Sequence, residues 1–100
     1  MHFAVIREQG SKWDASQAMR EQDKWPEHVT FINGIADEGF LLLAGPFGEG
    51  KPYRALLVVT GANEREVANR LDGDPWTTFG ILETKSIDQW EVLVGELSSG

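Results

Sequence analysis

An α+β domain built from two β-α-β units is the fold class this sequence predicts. Three observations predict it. Short, largely apolar runs at residues 2–7, 40–44, 54–60 and 81–94 have the composition of strands. Two stretches between them, opening at Trp25-Pro26 and at Asn63-Glu64, carry helix-start signals and one-sided apolar spacing. The resulting order is β-α-β-β-α-β, with no internal repeat and no low-complexity segment.

His2 to Arg7 reads as the first strand, with Phe3 and Val5 on the face opposite Ala4 and Ile6. Glu8 to Lys12 is a turn around Gly10. Asp14 to Lys24 is polar and tolerant of helix, with Asp14 as its cap and Ala15, Ala18 and Met19 as a thin apolar stripe. Pro26 suits the first turn of a helix, where its missing N–H has no intrahelical partner. That helix runs to about Glu38 and puts His28, Phe31, Ile32 and Ile35 on one face, at i, i+3, i+4 and i+7. Gly39 supplies its stop. Gly34 weakens it by about 1 kcal/mol relative to Ala and marks close packing.

Phe40 to Ala44 is a continuous apolar run, expected as a strand covered on both faces, and Gly45 to Pro52 is a loop. Arg54 to Thr60 is the third strand. Asn63 and Glu66 form a capping box for the second helix, whose inner face is Glu64, Val67, Ala68 and Leu71. Asp72-Gly73 ends it, and Asp74-Pro75-Trp76 opens a short turn or helix. Ile81 to Val94 is mostly strand, alternating at Trp90, Val92 and Val94. Residues 1–97 are expected as one domain, with a fraying end from 95 and a flexible tail at 98–100.

This order is the ferredoxin-like split β-α-β sandwich, with helices on one sheet face. The second and third strands are apolar on both sides, so the other face is expected to be buried too. Face-to-face packing of two sheets in a homodimer, a dimeric α+β barrel, meets that need.

Composition narrows the function. The chain has no cysteine, which excludes disulfides, thiolate catalysis and cysteine-based zinc or iron–sulfur sites. A net charge of −7 with nine scattered Lys and Arg argues against nucleic acid as a partner. The longest apolar run, Phe40 to Ala44, falls far short of the ~20 residues a bilayer requires, so no membrane partner is expected. No signal peptide is visible, and the expected location is cytoplasmic. The Gly45–Gly50 loop lacks both GxGxxG and a Walker Lys-Ser/Thr, and no HExxH or GxSxG occurs. No cofactor and no metal is therefore expected.

His28 and Asp74 carry the chemistry. His28 sits at a helix start, on the apolar face. It either packs there against Phe31 and Ile32 or serves as a general acid/base. A positive helix N-terminus and partial burial both disfavour an imidazolium, which suits a proton acceptor. Asp74, before Pro75, is either an N-cap bonded to the N–H of Trp76 or Thr77, or a partner that orients His28. One oxygen for each task makes the two readings compatible. Asp37 lies nine residues after His28, out of phase on the helix, and His2 falls at the surface. Trp25, Trp76 and Phe47 bracket the two motifs as core rim or pocket wall, and Trp13 and Trp90 belong to packing or a dimer interface. Arg54 serves an anionic substrate group or the surface. The candidate substrate-binding set is Trp25, Gly45, Pro46, Phe47, Arg54 and Trp76.

His28 early in the main helix, the passage Asp37-Glu38-Gly39-Phe40-Leu41-Leu42-Leu43-Ala44-Gly45-Pro46, Asp74-Pro75, Gly80 and Trp90 stand in an order that resembles the YCII-related (YciI-like) domains. The family's frequent Arg before the Pro and His is replaced here by Lys24-Trp25. The resemblance implies a dimeric α+β barrel. It also implies a His/Asp active site, here His28 and Asp74, and a branch of the family that removes chloride from chlorinated aromatic intermediates. The leading expectation is a small cofactor-independent enzyme. It would use His28 and Asp74 for proton abstraction, isomerisation or elimination on a small aromatic or carbonyl-containing metabolite. The alternative is a non-catalytic module for small-ligand binding or assembly. A haem-dependent or oxygen-using monooxygenase stands last, because no second histidine is well placed.

Overall fold

A computed structural model describes residues 1–95. Its elements are β1 (His2–Gln9), a 3₁₀ turn (Met19–Glu21), α1 (Trp25–Asp37), β2 (Leu41–Pro46), β3 (Arg54–Thr60), α2 (Glu64–Leu71), α3 (Pro75–Thr78) and β4 (Leu82–Trp90). The four strands form one sheet in the order β2-β3-β1-β4, every neighbouring pair antiparallel. This is the ferredoxin-like arrangement.

Alternation along β1 turns Phe3, Val5 and Arg7 to the buried face. Phe3 and Val5 join Leu41, Leu57 and Val59 of the sheet and Ile35, Val67 and Leu71 of the helices in the main core. A second, smaller core gathers Trp76, Ile81 and Leu82 with Trp13, Met19, Trp25 and Tyr53 packed on it. The register of β1 against β4 slips between Ile6 and Arg7. Such bulges re-aim side chains next to sites.

α1 begins as expected, with Pro26 in its first turn, and Gly39 follows it at φ +83, a conformation glycine adopts without strain. Asn63 accepts the Glu66 N–H at 2.9 Å and starts α2. The glutamate half of the expected box is replaced: the Glu66 carboxylate lies beside Gly61.

Three expectations are corrected. Residues 14–24 do not form a helix beyond the single turn at Met19–Glu21. The Asp14 carboxylate takes both the N–H and the hydroxyl of Ser16, and the buried Gln22 side chain bonds back to the backbone at 14 and 17. Polar side chains bonding to nearby backbone compete with helix, and here they win. β2 is an edge strand open on its outer face, where Leu43 is 57% exposed, so within one chain it is not covered on both sides. β4 stops at Trp90, leaving Val92 and Val94 beyond the strand. The expected domain end at 97 and the tail at 98–100 lie outside the described residues. No helix among the described residues is long and apolar enough to cross a membrane.

The end of β1 is clasped to the start of β4 by Gly10 N–H to Ile81 C=O at 2.8 Å and Lys12 N–H to Gly80 C=O at 2.9 Å. Backbones approach so closely that a Cβ at Gly10 would collide with the Gly80 carbonyl. Gly10→Ala is expected to lower unfolding free energy by about 1–3 kcal/mol. Urea denaturation followed by tryptophan fluorescence measures it.

Candidate functional site

The site forms where the two cores meet, and β1 reaches it first. Arg7, on the buried face, is completely shielded from solvent. Its Nη1 donates to Asp74 Oδ2 at 2.9 Å, and its Nη2 donates to the Thr77 hydroxyl. Thr77 in turn donates to the Leu71 carbonyl at 3.2 Å, tying α3 to the end of α2.

Asp74 precedes a proline, which holds it in extended geometry (φ −66, ψ 126). From there its Oδ1 accepts the Trp76 N–H at 2.9 Å and caps α3. The same carboxylate meets His28 Nδ1 at 3.0 Å through Oδ1 and at 2.8 Å through Oδ2. Both roles weighed for Asp74 thus coexist in its contacts. The group is wholly buried. Burial pushes its carboxyl up, but the His28 hydrogen bond and charge, the Trp76 N–H and Arg7 outweigh that and hold it below the ordinary 3.8.

The imidazole is held by two tryptophans. Trp76 stacks on one face, centroids 3.9 Å apart and planes within 8°. Trp25 flanks both rings, tilted, with its centroid 5.7 Å from the imidazole and 5.5 Å from Trp76. Trp76 is itself locked by its indole N–H, which donates to the Asp23 carbonyl at 2.7 Å. Trp13 completes the layer, edge-on to Trp76 and stacked on Tyr53 at 4.6 Å. An ionised Asp74 can only accept, so Nδ1 carries a proton. Nε2, the other ring nitrogen, has no hydrogen bond among the described residues, and 12% of the His28 side chain is exposed.

His28 lines a cleft of about 170 Å³. Arg7 and Tyr53 share the lining, with Met19, Trp25, Ile32, Ala44, Leu57 and Leu82 as apolar wall. Burial raises the Tyr53 phenol above its ordinary 10.0, partly offset by the charge of Arg7, so Tyr53 stays protonated through the neutral range. A wider hollow of about 570 Å³ shares Met19, Pro46 and Tyr53 with this cleft.

Of the residues singled out in the sequence, His28 and Asp74 come together, and Trp25, Gly45 and Pro46 line the same cleft. Trp76 does not line it; buried behind the imidazole, it supports His28 from below. Phe47 and Arg54 are also outside it. Ala55 faces the cleft, so its neighbour Arg54 points the other way, and its guanidinium lies over the Phe47 ring at 5.0 Å. Asp37 is exposed at the end of α1, and His2 pairs with Trp90 and Thr60 at the sheet's far end.

Arg7, Tyr53 and Thr77 are site residues that sequence reasoning missed. A signal existed for two of them. Arg7 is in phase with Phe3 and Val5, and Tyr53 with Ala55 and Leu57, so period-2 alternation points both inward. Thr77 carries no such signal.

No protein-family model matches the chain, and no curated protein matches it. Among solved structures it is similar to the 5-chloro-2-hydroxyhydroquinone dehydrochlorinase TftG from Burkholderia phenoliruptrix AC1100, in complex with 2,5-dihydroxybenzoquinone. The TM-score is 0.67 at 19% identity, over 91% of this chain and 94% of that one. The likeness is one of fold.

A carboxyl held low in the folded state contributes stability above its unfolded value and loses it as pH falls through the folded one. Wild type is therefore expected to lose stability as pH falls below the ordinary carboxylate value and on through the lower one of the buried Asp74. Asp74→Asn removes that dependence. It also leaves Arg7 buried without its anion, at an expected cost of about 3–5 kcal/mol at pH 7. Urea unfolding of both proteins from pH 7 to pH 3 reads both effects.

Proposed function

We propose that this chain is a small acid–base enzyme of the YCII-related type, acting without a cofactor on a single-ring hydroxylated or carbonyl-containing metabolite. The contact that carries the reading is Asp74 on His28 Nδ1, which leaves Nε2 as the nitrogen available for proton transfer. Nε2 takes a proton from a ring hydroxyl or from a carbon next to a carbonyl. The electron pair of the broken bond stays on the substrate. In an elimination that pair forms the new double bond as the leaving group departs. Asp74 steadies the imidazolium, and Tyr53 donates to the substrate oxygen on which charge collects.

Size and lining support a ring. A cavity of about 150 Å³ with apolar walls holds benzene, and the cleft here measures about 170 Å³. The fold neighbour supports it too, being by name a dehydrochlorinase whose complex holds a hydroxylated quinone.

Self-association belongs to the same reading. Leu43 of the edge strand β2 is 57% exposed, in register with the buried Val58 and with Ala4 beyond it, and a second copy packed on that sheet face would close an α+β barrel.

The test uses chlorinated hydroxyhydroquinones as substrates, with chloride release and solvent-deuterium incorporation as readouts. 2,5-Dihydroxybenzoquinone serves as a binding probe through tryptophan quenching. His28→Ala is expected to lower turnover by about 10²–10⁴-fold with the circular dichroism spectrum retained. Unchanged turnover in the folded variant removes the catalytic role. Probe binding without turnover in wild type leaves a binding module instead.

A further inference from the structure

Arg7 is the buried charge that this mechanism leaves without a task. Its Nη1 lies 2.9 Å from Asp74 Oδ2, the same oxygen that His28 Nδ1 meets at 2.8 Å. A guanidinium and an imidazole therefore share one carboxylate oxygen. The strand gives a fully buried, inward-facing position to a charged side chain, between the apolar Val5 and the cleft, and leaves Nε with no partner. Burial of this kind is costly and calls for a return. Arg7 also ties α3 to β1 through Asp74 and Thr77, but the capping bond itself is made by the Trp76 N–H on Oδ1, and two hydrogen bonds do not require a charge that is shared with the imidazole. Nor does the ring's orientation, which Trp76 and Asp74 already fix.

The return lies in proton transfer. A buried carboxylate facing an imidazole at 2.8 Å, with no other cation near, would hold the proton that the ring accepts. A base that keeps its proton does not turn over. Arg7 already matches the charge of Asp74, so an imidazolium adjacent to it is a second positive charge in the same small volume.

The remaining groups around His28 do not alter this balance. At the start of α1, Lys24, the residue before the helix, and Glu27 face each other at 3.8 Å at the surface. From α3 come Asp74 and the uncharged Trp76. Tyr53, ahead of β3, is a protonated phenol. β2 and β4 present Ala44, Gly45, Pro46 and Leu82, none of them charged.

We propose that Arg7 is a positioning residue that occupies Asp74 so that His28 gives back the proton it accepts. The inference rests on the acid–base reading of His28. The proton travels from substrate to Nε2 and back to substrate or leaving group. Arg7 and Asp74 neither gain nor lose one.

The experiment is a titration of the His28 ring by NMR in the ligand-free protein, with His2 identified through His2→Gln. Arg7→Met is expected to let His28 hold its proton to a pH about one unit higher, while Arg7→Lys, which keeps the charge and loses the fork, stays close to wild type. An unmoved midpoint in folded Arg7→Met overturns the proposal, as does an equal rise in both variants. Where Arg7→Met strands Asp74 and fails to fold, Asp74→Asn and Asp74→Asn/Arg7→Met are compared, the double variant having no buried anion. The double variant is expected to hold the proton to higher pH, and equal midpoints overturn the proposal.

No substrate enters the titration, so the two readings fail separately. Turnover that survives His28→Ala removes the acid–base role even where Arg7 moves the midpoint. A fixed midpoint removes the role of Arg7 even where His28→Ala is inactive.

Discussion

The carboxylate of Asp74 is the constraint on which the molecule's architecture turns. It is completely buried, and a buried carboxylate is tolerated only when its oxygens are well occupied. Here they are occupied from three separate elements: Arg7 of β1, His28 of α1 and the backbone of α3. Each donor fixes the others. α3 is four residues long and has no stability of its own as a helix. It persists because its cap is also the anchor of a strand and of the main helix. Loss of any one donor would loosen contacts between parts of the chain that are distant in sequence, since Arg7 and Asp74 are 67 residues apart and His28 and Asp74 are 46 apart.

Aromatic packing turns that electrostatic knot into a defined geometry. A carboxylate alone fixes where Nδ1 sits but leaves the ring free to rotate about that contact. Trp76 removes the freedom by stacking parallel to the imidazole, and its own position is set by the Asp23 carbonyl and by Trp13 against its edge. The second core is therefore more than filler between α3 and the sheet. It transmits the position of residues 13–25, a segment with little regular structure, to the one ring nitrogen left open to a ligand.

Much of this was legible in the chain. Pro26 and Gly39 mark the two ends of α1, and the dipeptide Asp74-Pro75 marks the start of α3, because each residue has a backbone preference that few positions satisfy. The four-strand order follows from where those helices fall. The errors have physical causes as well. Asp14, Ser16 and Gln22 look helix-tolerant by composition, yet their side chains bond to nearby backbone and hold a looped segment. Arg54 stands close in sequence to the cleft and still misses it, since one step along β3 reverses the side chain's direction, and Phe47, just past the end of β2, lies under its guanidinium. The same rule, applied to charged residues as well as apolar ones, puts Arg7 inside. The stacking of Trp76 on His28 depends on tertiary placement, and no local pattern encodes it.

The proposed acid–base reading has a consequence for selectivity. Arg7 and Asp74 form a pair that is neutral as a unit, and Tyr53 is uncharged, so apart from His28 the cleft carries no net charge. A neutral ring entering the apolar walls meets no unpaired charge that must be stripped of water. On the proposed acid–base reading, once its proton passed to Nε2 the ring would be an anion and the imidazole a cation, a few ångströms apart in a site with little solvent. Attraction between charges in such surroundings is several-fold stronger than in water. Interaction would then strengthen as the proton moves, which is the condition under which binding energy accelerates a reaction instead of merely tightening the ground state. A site that met the substrate with a permanent net charge would give that advantage away before the chemistry began.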